Sequence, residues 1–377
     1  MHSTDTTVGK QRLLAKPITK IILAIIIGVG LIFSISDIQK ILTLAQKIEP
    51  AFMFLAFVAA ILSYLFIGLA LKRLLDLVGE CLSFKEMFVI SWVSTSVNYL
   101  VSTGGVGGLT MRIFLLRKKK ISFSETFLVS FIHNLLLNGV LIGFVIFGFG
   151  HLLTNNGLRL YHHLTSGAVL AITLTLSFLA AGSVINKAFR ERFIDFFYKL
   201  INRISFRFTG RVIFKKGSLE EFKEEFHQGI SLMLERKREM ILPLFYVFLD
   251  WLCCLLTLYL SFITIGYRIS PGILLVGFAV GIFVSIISFI PGAIGIMEGS
   301  MAAIYYSLAV PLEVSIVAVL LYRIVYYVFP FVTSILLYRP LFREAKAMKV
   351  SGVTHRSAIP AESSPSGPKG IDQSEFP

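Results

Sequence analysis

Apolar runs near the length of a bilayer crossing recur along almost the whole chain, and that feature decides what it can fold into. A helix rising about 1.5 Å per residue needs roughly 20 apolar residues to cross the hydrocarbon. Segments at 19–36, 51–71, 86–101, 125–149, 165–185, 240–262, 272–290, 295–309 and 313–338 approach or reach that length. Lipid offers backbone N–H and C=O groups no partners, so such runs fold as helices that satisfy their own backbone. An all-α polytopic membrane protein is therefore expected. The first run follows Lys10, Arg12, Lys16 and Lys20 without a small-residue cleavage pattern behind it, which reads as a retained helix.

The formal charge of +14 would point to nucleic acid in a soluble protein. In a membrane protein it has another cause, because cytoplasmic connections collect Lys and Arg. No nucleic-acid partner is expected. The N-terminus carries four basic residues, 72–85 carries Lys72, Arg73 and Lys85, and 186–239 carries thirteen, so these are predicted to be cytoplasmic. The connections 37–50 (Lys40, Lys47), 150–164 (Arg159) and 263–271 (Arg268) are predicted to lie outside. Cys81, Cys253 and Cys254 have neither metal-ligand nor disulfide spacing.

One cluster conflicts with a simple count of spans. If 86–101 crossed fully, Arg117–Lys120 (RKKK) would be external. The stretch Ser102–Arg112 (STGGVGGLTMR), with Gly104, Gly105, Gly107 and Gly108, can bend the chain back instead. The same parity applies to 272–309, where Ser288–Met301 (SFIPGAIGIMEGSM) interrupts a helix at Pro291, Gly292 and Gly295. Two readings follow. One has six full crossings plus two broken re-entrant hairpins in inverted arrangement, with both termini in the cytoplasm of a cell-membrane protein. The other has eight or nine full spans and one exception to the charge rule. Broken segments in corresponding positions of two halves point to a transport site.

Between the halves, Phe189, Phe193, Phe196, Phe197, Leu200, Ile201 and Ile204 recur at helical spacing among basic residues, which predicts an interfacial amphipathic helix. A second begins at Ser218–Glu221 (SLEE), with Leu219, Phe222, Phe226, Ile230 and Met233 as its stripe. The pair either attracts anionic lipid or lies on the bilayer as a solvated linker. From Ser351 the composition turns to Ser, Pro and Gly, and 350–377 is expected to be a disordered cytoplasmic tail.

Ionisable side chains at membrane depth cost several kcal/mol and need a partner or a polar cavity. Glu298, just past the second break, and Arg323, mid-way along the last segment beside Tyr326, are expected to pair, either at a substrate site or as a lock between helices. Arg112 either holds phosphate oxygens together with glycine N–H groups or snorkels to the membrane edge. Asp250, His133 and Asn134 are candidates for a polar path, the latter two alternatively bonding neighbouring helices. No nucleophile elbow, HExxH, P-loop or dinucleotide glycine pattern is present. Neither cofactor nor metal is expected.

Three stretches taken together carry a resemblance: Gly104–Arg112 (GGVGGLTMR), Pro291–Gly299 (PGAIGIMEG) and Leu320–Pro330 (LLYRIVYYVFP). They resemble the membrane domain of the lysylphosphatidylglycerol synthase/flippase family over roughly residues 15–345. Ala293 stands where a glycine is usual in that family, and Thr103 where proline is frequent. Bifunctional members add a soluble domain that transfers lysine from charged tRNA to phosphatidylglycerol; aminoacyl transfer by this chain alone is not expected. The resemblance implies movement of a phospholipid or lipid-linked headgroup, anionic by the charges offered, with a separate lipid-synthesis enzyme as a partner. Its alternatives are a lipid-modifying transferase with Glu298 or Asp250 as base, and a membrane scaffold acting through 186–239.

Overall fold

Four helices carry both the length and the apolar composition to cross a membrane: Pro50–Leu77, Phe123–Gly148, Ile241–Thr264 and Leu312–Tyr338. They organise a computed structural model that describes residues 38–100, 106–154, 181–209, 216–288 and 290–338, with scattered positions between 167 and 179. The expected first segment 19–36, the N-terminus, Gly104, Gly105, most of 165–185 and the 350–377 tail lie outside the described residues. Every described element is helical. Residues up to Leu336 form one unit; from Leu337 a second begins, of which only 337 and 338 are described.

The elements in order are α1 (Ile38–Gln46), α2 (Pro50–Leu77), α3 (Phe84–Leu100), α4 (Val106–Arg117), α5 (Phe123–Thr154), α6 (Lys187–Thr209), α7 (Lys216–Glu235), α8 (Ile241–Thr264), α9 (Pro271–Ile287), α10 (Ile296–Ser307) and α11 (Leu312–Arg323). The last continues through a π-helical turn at Ile324–Val328 to Tyr338. Their lengths repeat. The series α2 to α5 runs 28, 17, 12 and 32 residues, and α8 to the final helix runs 24, 17, 12 and 27.

The two series are inverted. Helices α2 and α8 share the largest interface among the described elements and run antiparallel. Glu49 N–H, at the start of α2, donates to the Thr264 carbonyl at the end of α8 at 2.9 Å, and the Phe66 and Tyr246 rings stack at 6.3 Å. The α3–α4 pair therefore begins at one end of this central pair and the α9–α10 pair at the other. Each pair is a hairpin. In the first, Lys119 Nζ meets Glu86 Oε1 at 2.7 Å where the two helical arms open, and Gly108 N–H donates to Asn98 Oδ1 at 3.3 Å near the other end. In the second, Tyr305 O–H donates to the Leu274 carbonyl at 3.0 Å, and Met301 lies over Gly281.

The tips meet. A Cβ built on Gly292, in the second break, would lie 2.5 Å from the Leu100 carbonyl oxygen that ends α3. Only glycine admits that approach, and its φ of 62° also favours glycine. Gly277 works by the same logic within a helix, since a methyl there would overlap the Tyr305 ring. We expect Gly277→Ala to destabilise the protein by about 1–3 kcal/mol, the usual range for overpacking. The control, Gly143→Ala, where nothing lies within 4 Å, should be neutral or better. Thermal unfolding in detergent checks both.

In the basic insert, the stripe of α7 is found against protein rather than free. Phe222 and Phe226 pack on Phe123, Phe127 and Phe131 at the start of α5, and Phe226, Ile230 and Met233 are buried. The stripe's period was legible, but not the aromatic ladder on α5 that covers it. Helix α6 keeps Phe196, Phe197 and Leu200 exposed. It is tied to α7 by Lys223 to Asp195 at 2.7 Å, a hydrogen bond that raises the lysine above its ordinary pKa.

Candidate functional site

The residues that interrupt the second hairpin are held by two charges. Pro291 opens a short 3-10 turn, after which Gly292, Ala293 and Gly295 all take positive φ, at 62°, 49° and 83°. For Ala293 this is a strained choice, which gives a physical reason for the usual glycine. Glu298, in the first turn of α10, accepts the Gly295 N–H on Oε2 at 2.8 Å and so caps the resumed helix. Its Oε1 lies 2.7 Å from Arg323 Nε. The expected pair is present as a charge contact, without an N–H aimed along it.

Arg323 does more than balance Glu298. Its Nη2 donates to the carbonyls of Gly292 and Ala293 at 2.9 and 3.3 Å, and its guanidinium lies 4.4 Å above the Tyr327 ring. These bonds satisfy carbonyls that the broken helix leaves without intrahelical donors. Nη1 is buried without a partner among the described residues. Arg323 therefore ties the last helix to the second break through Nη2, as the lock reading expects, while Nη1 makes no such bond among the described residues.

Arg112 is a different case. It projects from α4 between α3 and α5, is 7% exposed, and donates to Ser94 Oγ at 3.4 Å and Ser130 Oγ at 3.0 Å. No carboxylate pairs with it among the described residues. His133 on α5 lies beside it, 4% exposed, with Nε2 buried and unpartnered. Among the described residues the partners of this interior guanidinium are two serine hydroxyls, which leaves much of its desolvation cost unoffset. Gly107 and Gly108 lie one turn earlier on the same helix, toward the tip contact. Asn134 is exposed, so the polar pair expected at 133–134 is divided between the interior and the outside.

A tyrosine cluster spans the space between these sites. Tyr99 stands 5.8 Å from Tyr326 and 5.1 Å from Tyr327 by ring centroids, 6.4 Å from Tyr64, and within electrostatic reach of Arg112. Tyr326 is buried and shares a 2.7 Å hydrogen bond with Ser63, whose hydroxyl also bonds the carboxyl of Asp250. Sequence reading found the charges but not Ser63, Ser94, Ser130, Tyr64 or Tyr99. Hydroxyls within apolar helices are commonplace, and only the packing of separated helices singles these out. An apolar cavity of about 700 Å³ runs between α5, α8 and α9, bounded by Phe144, Phe147, Leu252, Leu256 and Leu275.

The arrangement defines a class: a helical membrane protein whose two series of helices repeat in length about an antiparallel central pair, with the end of α3 meeting the break before α10 beside Arg323. The chain matches the family model for the lysylphosphatidylglycerol synthase TM region over residues 21–334, and it belongs to that family. It is similar to a UPF0104 membrane protein of Pyrococcus horikoshii, 24% identical, covering 82% of this chain and 93% of the relative. UPF0104 membrane proteins of Methanothermobacter thermautotrophicus and Methanocaldococcus jannaschii are each 21% identical, covering 82% of this chain and 88% of the relative.

Proposed function

We propose that this protein is a multi-pass membrane lipid translocase that moves an anionic headgroup, of a phospholipid or a lipid-linked carrier, between leaflets. The observation that carries the reading is Arg112: a buried guanidinium with no counter-charge among the described residues, beside a histidine nitrogen with no partner among them, on the helix that follows the contact between Leu100 and Gly292. Such a group has a large desolvation cost, and an anion with several acceptor oxygens, above all a phosphate, offsets it. Non-helical backbone at membrane depth is tolerated where it is buried or lines a cavity, and the residues around Gly292 supply it.

In this reading the hairpins are re-entrant, the termini face the cytoplasm, and the headgroup passes the tips while its chains stay in apolar surroundings such as the groove along α5, α8 and α9. Arg112 takes the phosphate. Nη1 of Arg323, buried without a hydrogen-bond partner among the described residues, offers a second contact. Rocking of one half against the other would expose the junction to each leaflet in turn.

The test is leaflet exchange in proteoliposomes, using headgroup-labelled phosphatidylglycerol against phosphatidylcholine and a protein-free control. Faster exchange of the anionic lipid is the expected result. Exchange no faster than in protein-free vesicles for either lipid, with protein shown to be folded, would overturn the reading.

A further inference from the structure

The buried acid Asp250 takes no part in the headgroup site, and its surroundings are unusual for a carboxylate. It lies on α8, 3% exposed, half-way along a helix long enough to cross the membrane. Its partners are hydroxyls, Ser63 on α2 and Tyr326 on the last helix. The titratable groups around it are Tyr64 on α2, Tyr99 on α3, Tyr326 on the last helix, and Cys253 and Cys254 on α8 itself. All are neutral at ordinary pH. Helices α5 and α9 meet the next residue, Trp251, with the Leu137 carbonyl and the Phe278 ring. No Lys, Arg or His pairs with Asp250 among the described residues.

A carboxylate partnered by Arg or Lys is served only when ionised, because those groups only donate. Hydroxyls can donate or accept. With Asp250 ionised, Tyr326 donates to Ser63 and Ser63 donates to the carboxylate. With Asp250 protonated, the carboxyl donates to Ser63 and Ser63 donates to Tyr326. The same three atoms satisfy both states by reversing direction, without any side chain moving. Tyr326 sits in the π-helical turn Ile324–Val328, directly after Arg323. Such turns are frequent at functional sites and re-register the residues around them.

We propose that Asp250, Ser63 and Tyr326 form a proton-binding site, and that gain and loss of this proton is coupled through the π turn to the Arg323 contacts at the hairpin break. The coupling part rests on the translocase reading above; the site itself does not. The carboxyl gains one proton to become neutral and returns it to become the carboxylate, with no other bond made or broken. It assigns the energy source as a proton gradient acting on the last helix, whose Tyr64–Tyr326 carbonyl bond at 3.2 Å is the contact to change.

Two measurements on the full chain test this. Infrared spectra of detergent-solubilised protein at neutral pH should contain a protonated-carboxyl C=O stretch that Asp250→Asn lacks and that alkaline titration removes. Ser63→Ala and Tyr326→Phe should move that band without abolishing it, which keeps the assignment testable if the asparagine variant folds poorly. In proteoliposomes, an imposed proton gradient should accelerate exchange of labelled phosphatidylglycerol by native protein, and the acceleration should be lost in Asp250→Asn. A native spectrum without any band sensitive to these three positions overturns the proton site. Gradient-driven exchange that persists in Asp250→Asn overturns the coupling. A band as expected with no lipid exchange at all leaves the proton site standing and removes the translocase reading instead.

Discussion

Arg112→Met is expected to abolish most movement of anionic lipid while leaving the protein as stable as before, or more so. The two effects have one cause. Among the described residues the native guanidinium offsets its burial with two serine hydrogen bonds, so an apolar chain of similar volume removes a desolvated charge and fills the same space. A gain of about 1 kcal/mol or more is in range for such replacements. A charge-assisted hydrogen bond contributes about 1.5–3 kcal/mol, so losing it from a bound phosphate should cost on the order of 10- to 100-fold in exchange rate. Arg112→Lys keeps the charge but not the fork, and should fall between. Thermal unfolding and leaflet exchange on the same preparations decide the matter. Should Arg112→Met instead unfold several degrees early, Arg112 is a structural tie between α3, α4 and α5, and the headgroup assignment fails with it.

How far the sequence carried this picture depended on the type of signal. Apolar length is a local signal, and it placed the four long helices. Gly108 was legible as a place of close backbone approach, and Gly292 as part of a helix break. What they approach was not, since Asn98 and the Leu100 carbonyl lie on other segments. Glu298 and Arg323 were legible as a pair because charges at membrane depth need partners. The bonds from Arg323 to the Gly292 and Ala293 carbonyls were hidden because any backbone carbonyl looks alike in sequence. Asn134 shows the reverse error: it stands next to His133, yet adjacent positions on a helix are about 100° apart and only one faced inward. The identical 17- and 12-residue arms of the two hairpins became visible only when the helix ends were placed, because hydropathy blurs an end by several residues.

The same logic of buried charge gives the opposite expectation at the second break. Glu298→Gln retains the carbonyl oxygen that caps Gly295 but removes the charge 2.7 Å from Arg323, leaving an interior guanidinium uncompensated. Breaking one side of a buried pair typically costs about 3–5 kcal/mol, and the 18% exposure of Glu298 puts the expected loss near the low end. Arg323→Met should cost as much, because it strips the Gly292 and Ala293 carbonyls of their donor and Glu298 of its counter-charge. The double variant Glu298→Gln, Arg323→Met should then be more stable than the sum of the singles predicts, by about 1–3 kcal/mol. Chemical unfolding in detergent, with the four proteins side by side, measures this coupling. Additive losses would mean that the pair does not hold the break, and that the ends of α10 and the π turn are fixed by tyrosine packing alone. A large coupling places Arg323 as a clamp whose release changes the hairpin tip. In that case the double variant, folded yet without either charge, should also exchange lipid at the rate of protein-free vesicles, separating the fold's need for the pair from the substrate's.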